Sequence, residues 1–364
     1  MYIKKISLKN YRNIDFLELD LKNGVNIFYG DNAQGKTNLL ESIYICATGR
    51  SHRTHIDKEL IKFNENDAHI KAEIKTNTLD KIDIHLKRDS KKGIAINNIA
   101  INKLGELFGI LNIVIFSPED LNLIKAGPME RRKFIDMELC QINKVYYYNL
   151  AQYYKILKQR NTLLKKIQKN EYLKETLFAW DSQLINFGKK IIEIREDFIL
   201  KINKISKKIH FEITGEKEDL EIKYKPNVLI KEFEEKLKKN IEKDILYATT
   251  SVGPHKDDIL FFINDINARD FGSQGQQRTV SLSTKLAEIN LIKEEKGNLP
   301  VLLLDDVLSE LDKSRQKYLI SNIKDIQVII TCTGVEDVIK NLNEKCHIFN
   351  VKNGSIFKKN WKIL

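Results

Sequence analysis

The spacing of apolar residues divides the chain into a strand-rich beginning, a helical middle and a mixed end. Apolar and polar residues alternate over 2–21 and 69–102, which predicts strands joined by turns at 10–13 and 97–98. An unbroken apolar stretch at 111–116 predicts a buried strand. The first part of the chain is therefore expected to form sheet, with an antiparallel meander over 69–102.

The middle of the chain has the three- and four-residue spacing of amphipathic helices. Gly127 and Pro128 predict the start of a long helix, since proline suits the first helical turn. After a polar break at 169–176, apolar residues from Trp180 to Ile209 recur in a near-heptad stripe. Two such helices with a short break between them are expected to fold back as an antiparallel pair.

Residues 25–48 combine a short apolar strand, the loop GDNAQGKT and a helix expected to begin near Asn38. This is the Walker A pattern GxxxxGK[ST] in the context that makes it specific, and a plain glycine turn is the less favoured alternative. Backbone N–H groups would surround a phosphate of ATP, Lys36 would reach its β and γ phosphates, and Thr37 would bind Mg²⁺. The expected nucleotide contacts are Gly30, Asp31, Asn32, Ala33, Gln34, Gly35, Lys36, Thr37 and Asn38.

Residues 301–306, VLLLDD, predict a buried parallel strand that ends in two carboxylates. This is a Walker B pattern, and we expect its strand beside the Walker A strand. Asp305 would hold Mg²⁺ through water, and Asp306 would orient or deprotonate the attacking water. A pair of aspartates at the end of a core strand would be costly to desolvate without a ligand.

A second glycine-bearing helix start is predicted at 271–279, FGSQGQQRT, just before the Walker B strand. Ser273 stands where an N-cap belongs, and the helix that follows is expected to stop at Gly297. Such a helix N-terminus is able to face an anion. The segment SQGQQ is a weak motif alone, and its position strengthens it.

Two charged loops allow two interpretations each. GRSHRT, at 49–54, is either a solvated basic turn or a contact to phosphate or DNA, through Arg50, His52 and Arg53. GPHKDD, at 253–258, is either a catalytic carboxylate pair or, as we favour, a loop satisfied by its own side chains.

Composition narrows the class of protein. The length predicts two or more lobes, and the four scattered cysteines predict reduced thiols without a metal site. The absence of a signal-like N-terminus and of a long apolar run predicts a cytoplasmic protein without a membrane partner. The net charge is +11, and residues 151–210 hold fourteen Lys or Arg against six Asp or Glu, a surplus of 14 − 6 = 8. This surplus fits a solvated helix face and a DNA-facing surface equally well.

These motifs, in this order, resemble the ABC-type ATPase head shared by SMC and Rad50 proteins, and within that group they are most similar to the RecF family. The similar segments span nearly the whole chain. They are NYRN at Asn10, GRSHRT at Gly49, FSPEDL at Phe116, GP…RRKFID from Gly127, GPHKDD at Gly253 and FGSQGQQR at Phe271.

The resemblance implies an α/β ABC-type head, a mixed sheet with an antiparallel meander, and an inserted antiparallel helical hairpin. The implied segments are 1–126 and 246–364 for the head and 127–245 for the inserted lobe. It also implies a homodimer closed over two ATP molecules. In that dimer Ser273, Gly275 and Gln276 of one protomer touch the γ-phosphate held by Lys36 of the other, and Arg12 adds a nucleotide contact.

The implied function is ATP-dependent binding of double-stranded, gapped or junction DNA in recombinational repair, with RecR and RecO-type partners and weak ATP hydrolysis. Asp306 is one methylene shorter than the glutamate usual in transporter ATPases, which favours slow hydrolysis. SPED at 117–120 replaces a glutamine loop, and Thr331, Cys332 and Thr333 replace a switch histidine. Whether Ser117, Glu119 or Thr331 assumes those roles is open at this point. The alternative functions are an SMC/Rad50-like or transporter-type ATPase subunit with a different partner, and a stand-alone P-loop kinase or nuclease-linked ATPase.

Overall fold

Strands and helices follow the order that the residue spacing predicts. A computed structural model describes residues 1–323, 325–335 and 346–359. The strands are β1 (Tyr2–Tyr11), β2 (Ile14–Asp20), β3 (Val25–Tyr29), β4 (Asp67–Lys75), β5 (Leu79–Lys87), β6 (Gly93–Ile96), β7 (Ile99–Ala100), β8 (Ile113–Phe116), β9 (Leu220–Lys225), β10 (Asp258–Ile263), β11 (Ile266–Asn267), β12 (Val301–Asp305), β13 (Val328–Cys332), β14 (His347–Lys352) and β15 (Ser355–Lys359). The helices are α1 (Lys36–Thr48), α2 (Asn122–Lys125), α3 (Pro128–Ile142), α4 (Lys144–Ile167), α5 (Leu177–Ile213), α6 (Phe233–Lys239), α7 (Ile241–Tyr247), α8 (Ala268–Phe271), α9 (Gln274–Lys296) and α10 (Lys313–Asn322).

The chain forms two compact units, 1–120 with 288–364 and 121–287. In the first unit, one six-stranded sheet has the order β15-β14-β3-β13-β12-β8. All its neighbours are parallel except β15, which pairs antiparallel with β14. Strands β12 and β13 are buried along their whole length, which explains their unbroken apolar sequences.

The place of β12 corrects one expectation. Strand β13 lies between β3 and β12, so the Walker B strand is not the direct neighbour of the Walker A strand. The order of parallel strands depends on long crossover connections, which local sequence does not specify. The register still aligns Asp305 with Thr331 and Thr331 with Phe28, so the three strands end at one edge of the sheet.

The second sheet of this unit is antiparallel, with the order β2-β1-β4-β5-β6-β7. It confirms the predicted meander and adds the first two strands of the chain to it. The turn at 97–98 is built from two asparagines with positive φ angles, 52° at Asn97 and 66° at Asn98. Asparagine tolerates this left-handed conformation better than most residues.

The unit formed by 121–287 contains α2 to α8, the greater part of α9 and the three-stranded sheet β11-β10-β9. The predicted helical hairpin is confirmed. Arg160 on α4 hydrogen-bonds Asp181 on α5, and Tyr146 at the other end of α4 hydrogen-bonds Arg195, so the two helices are antiparallel.

The single long helix expected after Pro128 is wrong, because the structure has two helices that meet at Asn143. The backbone of Asn143 is extended, with φ −139° and ψ 100°. Its side chain accepts the N–H of Tyr146 at 2.9 Å and caps α4. Apolar spacing continues across the break, which is why periodicity alone did not detect it. None of the helices described here combines the length and apolar character needed to cross a bilayer.

Candidate functional site

The loop between β3 and α1 has the backbone of a phosphate cradle. Helix α1 begins at Lys36, slightly before the predicted start at Asn38. Ala33 and Gly35 have positive φ angles of 62° and 107°. Alternation of left- and right-handed residues turns successive N–H groups toward one side, where they form an anion-binding concavity. The N-terminus of α1 adds its partial positive charge at the same place.

The glycines of this loop are required by close neighbours. A Cβ on Gly30 would lie 2.3 Å from the carbonyl oxygen of Val351, and one on Gly35 would lie 2.8 Å from Oδ1 of Asn13. The turn between β14 and β15 also holds the loop. The N–H of Asn353 donates to Oε1 of Gln34 at 2.6 Å, and the N–H of Gly354 donates to the Gln34 carbonyl at 3.0 Å.

The ammonium of Lys36 lies inside the loop. Its Nζ donates to the carbonyl oxygens of Gly30 at 2.6 Å and Asp31 at 2.8 Å, and the residue is only 8% exposed. Asp31, Asn32 and Ala33 form the exposed rim of the same loop. Both of these partners are neutral carbonyl groups, so they leave the ammonium able to pair with a phosphate group.

Two threonine side chains from different elements meet at the carboxylate of Asp305. Thr37 at the start of α1 donates to Oδ1 of Asp305 at 3.1 Å, and Thr331 on β13 donates to the same oxygen at 2.7 Å. Octahedral Mg²⁺ holds its ligands at about 2.1 Å, which places neighbouring ligand oxygens about 3 Å apart. The Thr37 hydroxyl, predicted to bind Mg²⁺, and the Asp305 carboxylate, predicted to hold it through water, are therefore close enough to serve one ion.

Asp306 follows at the end of β12 in a left-handed conformation, with φ 55°. Burial raises the pKa of its carboxyl, the Lys36 ammonium opposes this change, and the charge of Asp305 adds to it. A raised pKa favours a carboxylate that accepts a proton from water. Thr331 also accepts the N–H of Asp306 at 3.2 Å, so it positions both aspartates.

Glu41 on α1 is the centre of a cluster that sequence reasoning missed. Its buried carboxylate accepts Nε and Nη2 of Arg12 at 2.9 and 2.8 Å, the hydroxyl of Tyr11 at 2.9 Å and that of Ser51 at 2.5 Å. Burial alone raises the pKa of Glu41, and the hydrogen bonds from Arg12 and Ser51 outweigh it, so the pKa lies below its ordinary value. The available signal was the single acid of α1, which lies in the largely apolar stretch 39–47.

Two sequence-predicted contacts lie in or beside this cluster. The Arg12 guanidinium is shared between Glu41 and the carbonyl of Glu59, at 2.9 Å, and its role toward a nucleotide stays a prediction. In the GRSHRT loop, Arg53 donates to Oδ1 of Asn38 at 3.0 Å, and the His52 ring packs against Tyr44. Arg50 is exposed. The cluster thus ties the loop to the first turn of α1.

The signature-like segment belongs to the other compact unit, 121–287. Ser273 caps α9 as predicted, and the cap is reciprocal. Its Oγ accepts the N–H of Gln276 at 3.2 Å, and its own N–H donates to Oε1 of Gln276 at 2.9 Å. Ser273 is exposed, and Gly275 is half-buried beside it. The three predicted signature residues therefore lie together at one helix N-terminus.

The carboxylates of the GPHKDD loop are paired with arginines that are distant in sequence. The prediction that the loop is satisfied by its own side chains is therefore wrong. Arg195 on α5 donates to Oδ2 of Asp257 at 2.9 Å. Arg131 on α3 binds both oxygens of Asp258, at 2.6 and 3.1 Å. Both carboxylates have cationic partners, which is the arrangement of a structural site.

A glycine loop on a parallel sheet, a threonine hydrogen-bonded to an aspartate beside it, and a helix capped by Ser273 before the Walker B strand define an ABC-type P-loop ATPase fold. The family model described as RecF/RecN/SMC N terminal domain matches residues 2–356. A Lachnospira eligens protein named DNA replication and repair protein RecF is 52% identical over 363 residues, which cover 99% of this chain and 100% of that protein. A Clostridium tetani protein of the same name is 51% identical, and the match covers 97% of this chain and 99% of that protein. The chain belongs to the RecF family.

Solved structures agree with this assignment. One described as the recombination mediator protein RecF-ATP in the RecFOR pathway is 37% identical, covers 99% of this chain and 98% of its own, and superposes with a TM-score of 0.92. The corresponding RecF-ATPrS structure is 36% identical, covers 98% of this chain and 98% of its own, and superposes with a TM-score of 0.91. An SMC head domain from Pyrococcus furiosus, 16% identical with a TM-score of 0.55, shares the fold.

Proposed function

We propose that this chain is an ATP-dependent DNA-binding protein of recombinational repair. It would dimerise on ATP, bind double-stranded, gapped or junction DNA, and help to load recombinase together with RecO and RecR-type partners in the cytoplasm. The observation that carries the proposal is the cradle around Lys36, with Thr37 and Asp305 at magnesium spacing. Relatives named for DNA replication and repair, and solved relatives described with ATP, support it.

The nucleotide site has a division of work among its residues. Lys36 and the loop N–H groups would bind the phosphates, and Thr37 and Asp305 would hold Mg²⁺, which would neutralise phosphate charge. Asp306 orients the attacking water and accepts its proton. Thr331 fixes both aspartates through its hydroxyl. The short side chain of Asp306 keeps its carboxylate farther from the reacting phosphate than glutamate would, which supports slow turnover.

The dimer would be held by nucleotide. Ser273 and Gly275 lie at an accessible helix N-terminus, which is able to contact the γ-phosphate bound to a second protomer. ATP drives such closure only through its better binding to the closed form. We therefore expect nucleotide affinity and dimer affinity to rise together.

The DNA-binding surface is proposed on the helical hairpin. Two of its fourteen basic residues, Arg160 and Arg195, are buried in ion pairs with aspartates, so they contribute no surface charge. Lys174 and Lys189 are half-buried, and the other ten are exposed lysines: Lys155, Lys158, Lys165, Lys166, Lys169, Lys190, Lys201, Lys204, Lys207 and Lys208. Contacts from lysine to phosphate give binding that weakens steeply with salt.

Sedimentation velocity tests the dimer. The wild-type chain should become dimeric in Mg·ATP and shift further with gapped duplex. Lys36→Met should lose the ATP-driven shift, because phosphate binding is weakened. Ser273→Arg should bind ATP with normal affinity and stay monomeric. A wild-type chain that remained monomeric in saturating Mg·ATP, with and without DNA, would reject the proposal.

Titration of salt tests the DNA surface with a matched control. Replacing Lys158, Lys165 and Lys166 on α4 by Gln should reduce the slope of log K against log salt by roughly 2–3, since each phosphate contact contributes about 0.9. The control replaces Lys236, Lys238 and Lys239 on α6, which are exposed but paired with glutamates four residues earlier. Equal slopes for the two variants would place the DNA elsewhere.

A further inference from the structure

Two histidines and an aspartate lie together on the antiparallel sheet of the first unit, and nothing in the nucleotide site uses them. Asp67 and His69 are two residues apart on β4, so their side chains share one face of the sheet. His85 on β5 stands directly opposite His69 in the strand register. The fold thus brings three ligand-type side chains from two adjacent strands to one place.

The three side chains converge on one oxygen. Nε2 of His85 is 3.1 Å from Oδ2 of Asp67, and Nε2 of His69 is 3.8 Å from the same atom. The two imidazole rings stack, with centroids 3.9 Å apart and planes 19° apart. One ligand atom from each residue lies within 4.8 Å of the others. Small side-chain rotations would place all three atoms around one ion.

We propose that Asp67, His69 and His85 form a binding site for a transition-metal dication, and that the ion bound there is Zn²⁺. Two imidazole nitrogens and one carboxylate oxygen match the ligands that Zn²⁺ prefers, and solvent supplies the fourth tetrahedral position. Mg²⁺ takes oxygen ligands almost exclusively, so this site and the Thr37–Asp305 pair select different ions. Side-chain exposures of 34% for His69, 31% for His85 and 43% for Asp67 leave the site open to ions from solution.

The protonation states suit a metal. Burial and the neighbouring His85 lower the pKa of His69, which favours the neutral imidazole that binds metal. The hydrogen bond from His85 lowers the pKa of Asp67, so this ligand is ionised. Neighbouring charges are mixed. Lys9 and Lys87 are the register partners of His69 and Asp67, and Asp83 lies nearby, paired with Lys71 at 2.8 Å.

Metal binding would join β4 to β5 across the sheet. An ion bound only by the folded form raises the thermal midpoint as its concentration increases. The site lies on strands separate from the phosphate loop, so ATP binding should be independent of it. Zinc titration without ATP therefore tests this proposal separately from the proposed function.

The experiment is isothermal titration of the full-length, tag-free protein with ZnCl₂, followed by the visible absorption of the Co²⁺ form. We expect one Zn²⁺ per chain and a tetrahedral cobalt spectrum. His69→Gln and His85→Gln should each weaken zinc binding at least about tenfold. Loss of a residue that only hydrogen-bonds a metal ligand already costs about that much, and these variants remove a ligand itself. His55→Gln, an exposed histidine of the same unit, is the matched control and should bind zinc as the wild type does.

Two results would overturn the proposal. One is no zinc binding by the wild-type chain up to millimolar concentration. The other is wild-type zinc affinity in both His69→Gln and His85→Gln, which would assign the ion to another site. Normal ATP binding by each variant shows that its fold is intact.

Discussion

Two aspartate pairs in this chain have the same sequence and different chemistry. Asp305 and Asp306 end a buried parallel strand, and Asp257 and Asp258 stand at the beginning of β10. The partners of Asp305 are the hydroxyls of Thr37 and Thr331. Those of Asp257 and Asp258 are guanidinium groups. Neutral donors leave the first pair with negative charge for a cation, and arginines neutralise the second.

The second pair belongs to a larger buried network in 121–287. Arg195, 1% exposed, donates to Asp257, to Asp136 at 2.7 Å and to the Pro254 carbonyl at 2.7 Å. Tyr224 also donates to Asp257. One guanidinium thus joins α3, α5 and the GPHKDD loop. A carboxylate pair therefore indicates catalysis only when no cation of the fold is already bound to it.

The largest expected effect comes from removing that cation. Arg195→Met should lower the free energy of unfolding by about 3–5 kcal/mol, because the buried Asp257 and the partly buried Asp136 would lose their cationic partner. Lys201 lies exposed on the same helix, so Lys201→Met should change the free energy of unfolding by less than about 0.5 kcal/mol. Urea denaturation followed by circular dichroism measures both. Equal stability of the two variants would contradict a structural role for the network.

Acid should act on the same network through His255. Its Nε2 bonds the Thr250 carbonyl at 2.9 Å, its Nδ1 bonds the Tyr153 hydroxyl at 2.7 Å, and burial lowers its pKa from 6.5 to about 4. The unfolded chain therefore binds the proton first as pH falls. The free energy of unfolding should fall by at most about 1.4 kcal/mol per pH unit between pH 6.5 and about 4. Above pH 6.5 this histidine should not change it.

His255→Gln isolates this contribution. The variant should lose less stability than the wild type between pH 6.5 and 4, because glutamine does not titrate there. His55→Gln, an exposed histidine, should follow the wild-type curve. Parallel curves for His255→Gln and the wild type would show that His255 titrates normally.

A smaller effect is expected beside Asp305. Thr331→Val removes a 2.7 Å hydrogen bond from a buried carboxylate, which should cost about 1 kcal/mol of unfolding free energy. ATP turnover should fall while ATP affinity is retained, because Thr331 positions Asp305 and Asp306 and leaves Lys36 untouched. Thr333→Val, two residues along and exposed, is the control for both measurements. Unchanged turnover would remove Thr331 from the site.

The smallest effect on stability is expected at Asp306. Asp306→Asn should change the unfolding free energy by less than about 0.5 kcal/mol, since its carboxylate accepts no hydrogen bond from a lysine or arginine in the described part of the chain and Lys36 acts on it only at longer range. Turnover should decrease and the ATP-bound dimer should accumulate, as sedimentation would show. A loss of stability comparable with that of Arg195→Met would erase the distinction between the two aspartate pairs.

Sequence predicted the features that local patterns determine. The glycine loop, the strand that ends in Asp305 and the cap at Ser273 each follow from a few adjacent residues, and the structure contains all three. The position of β13 between β3 and β12 did not follow, because crossovers span most of the chain. The pairing of Arg131 and Arg195 with the GPHKDD loop could not be predicted either, because 127 and 62 residues separate the paired side chains. Glu41 was missed because a single acid on a helix is usually exposed to solvent, and the sequence does not show that Tyr11, Arg12 and Ser51 surround it.

The position of β3 has a consequence for biosynthesis. Its two neighbours in the sheet, β13 and β14, begin at residues 328 and 347, and the turn that holds Gln34 lies at 353–354. A ribosome therefore makes the phosphate loop some 300 residues before the strands that support it. The contacts of 121–287 arise within one continuous stretch, so this unit is able to fold during translation. A nascent chain should acquire nucleotide affinity only as its last strands emerge.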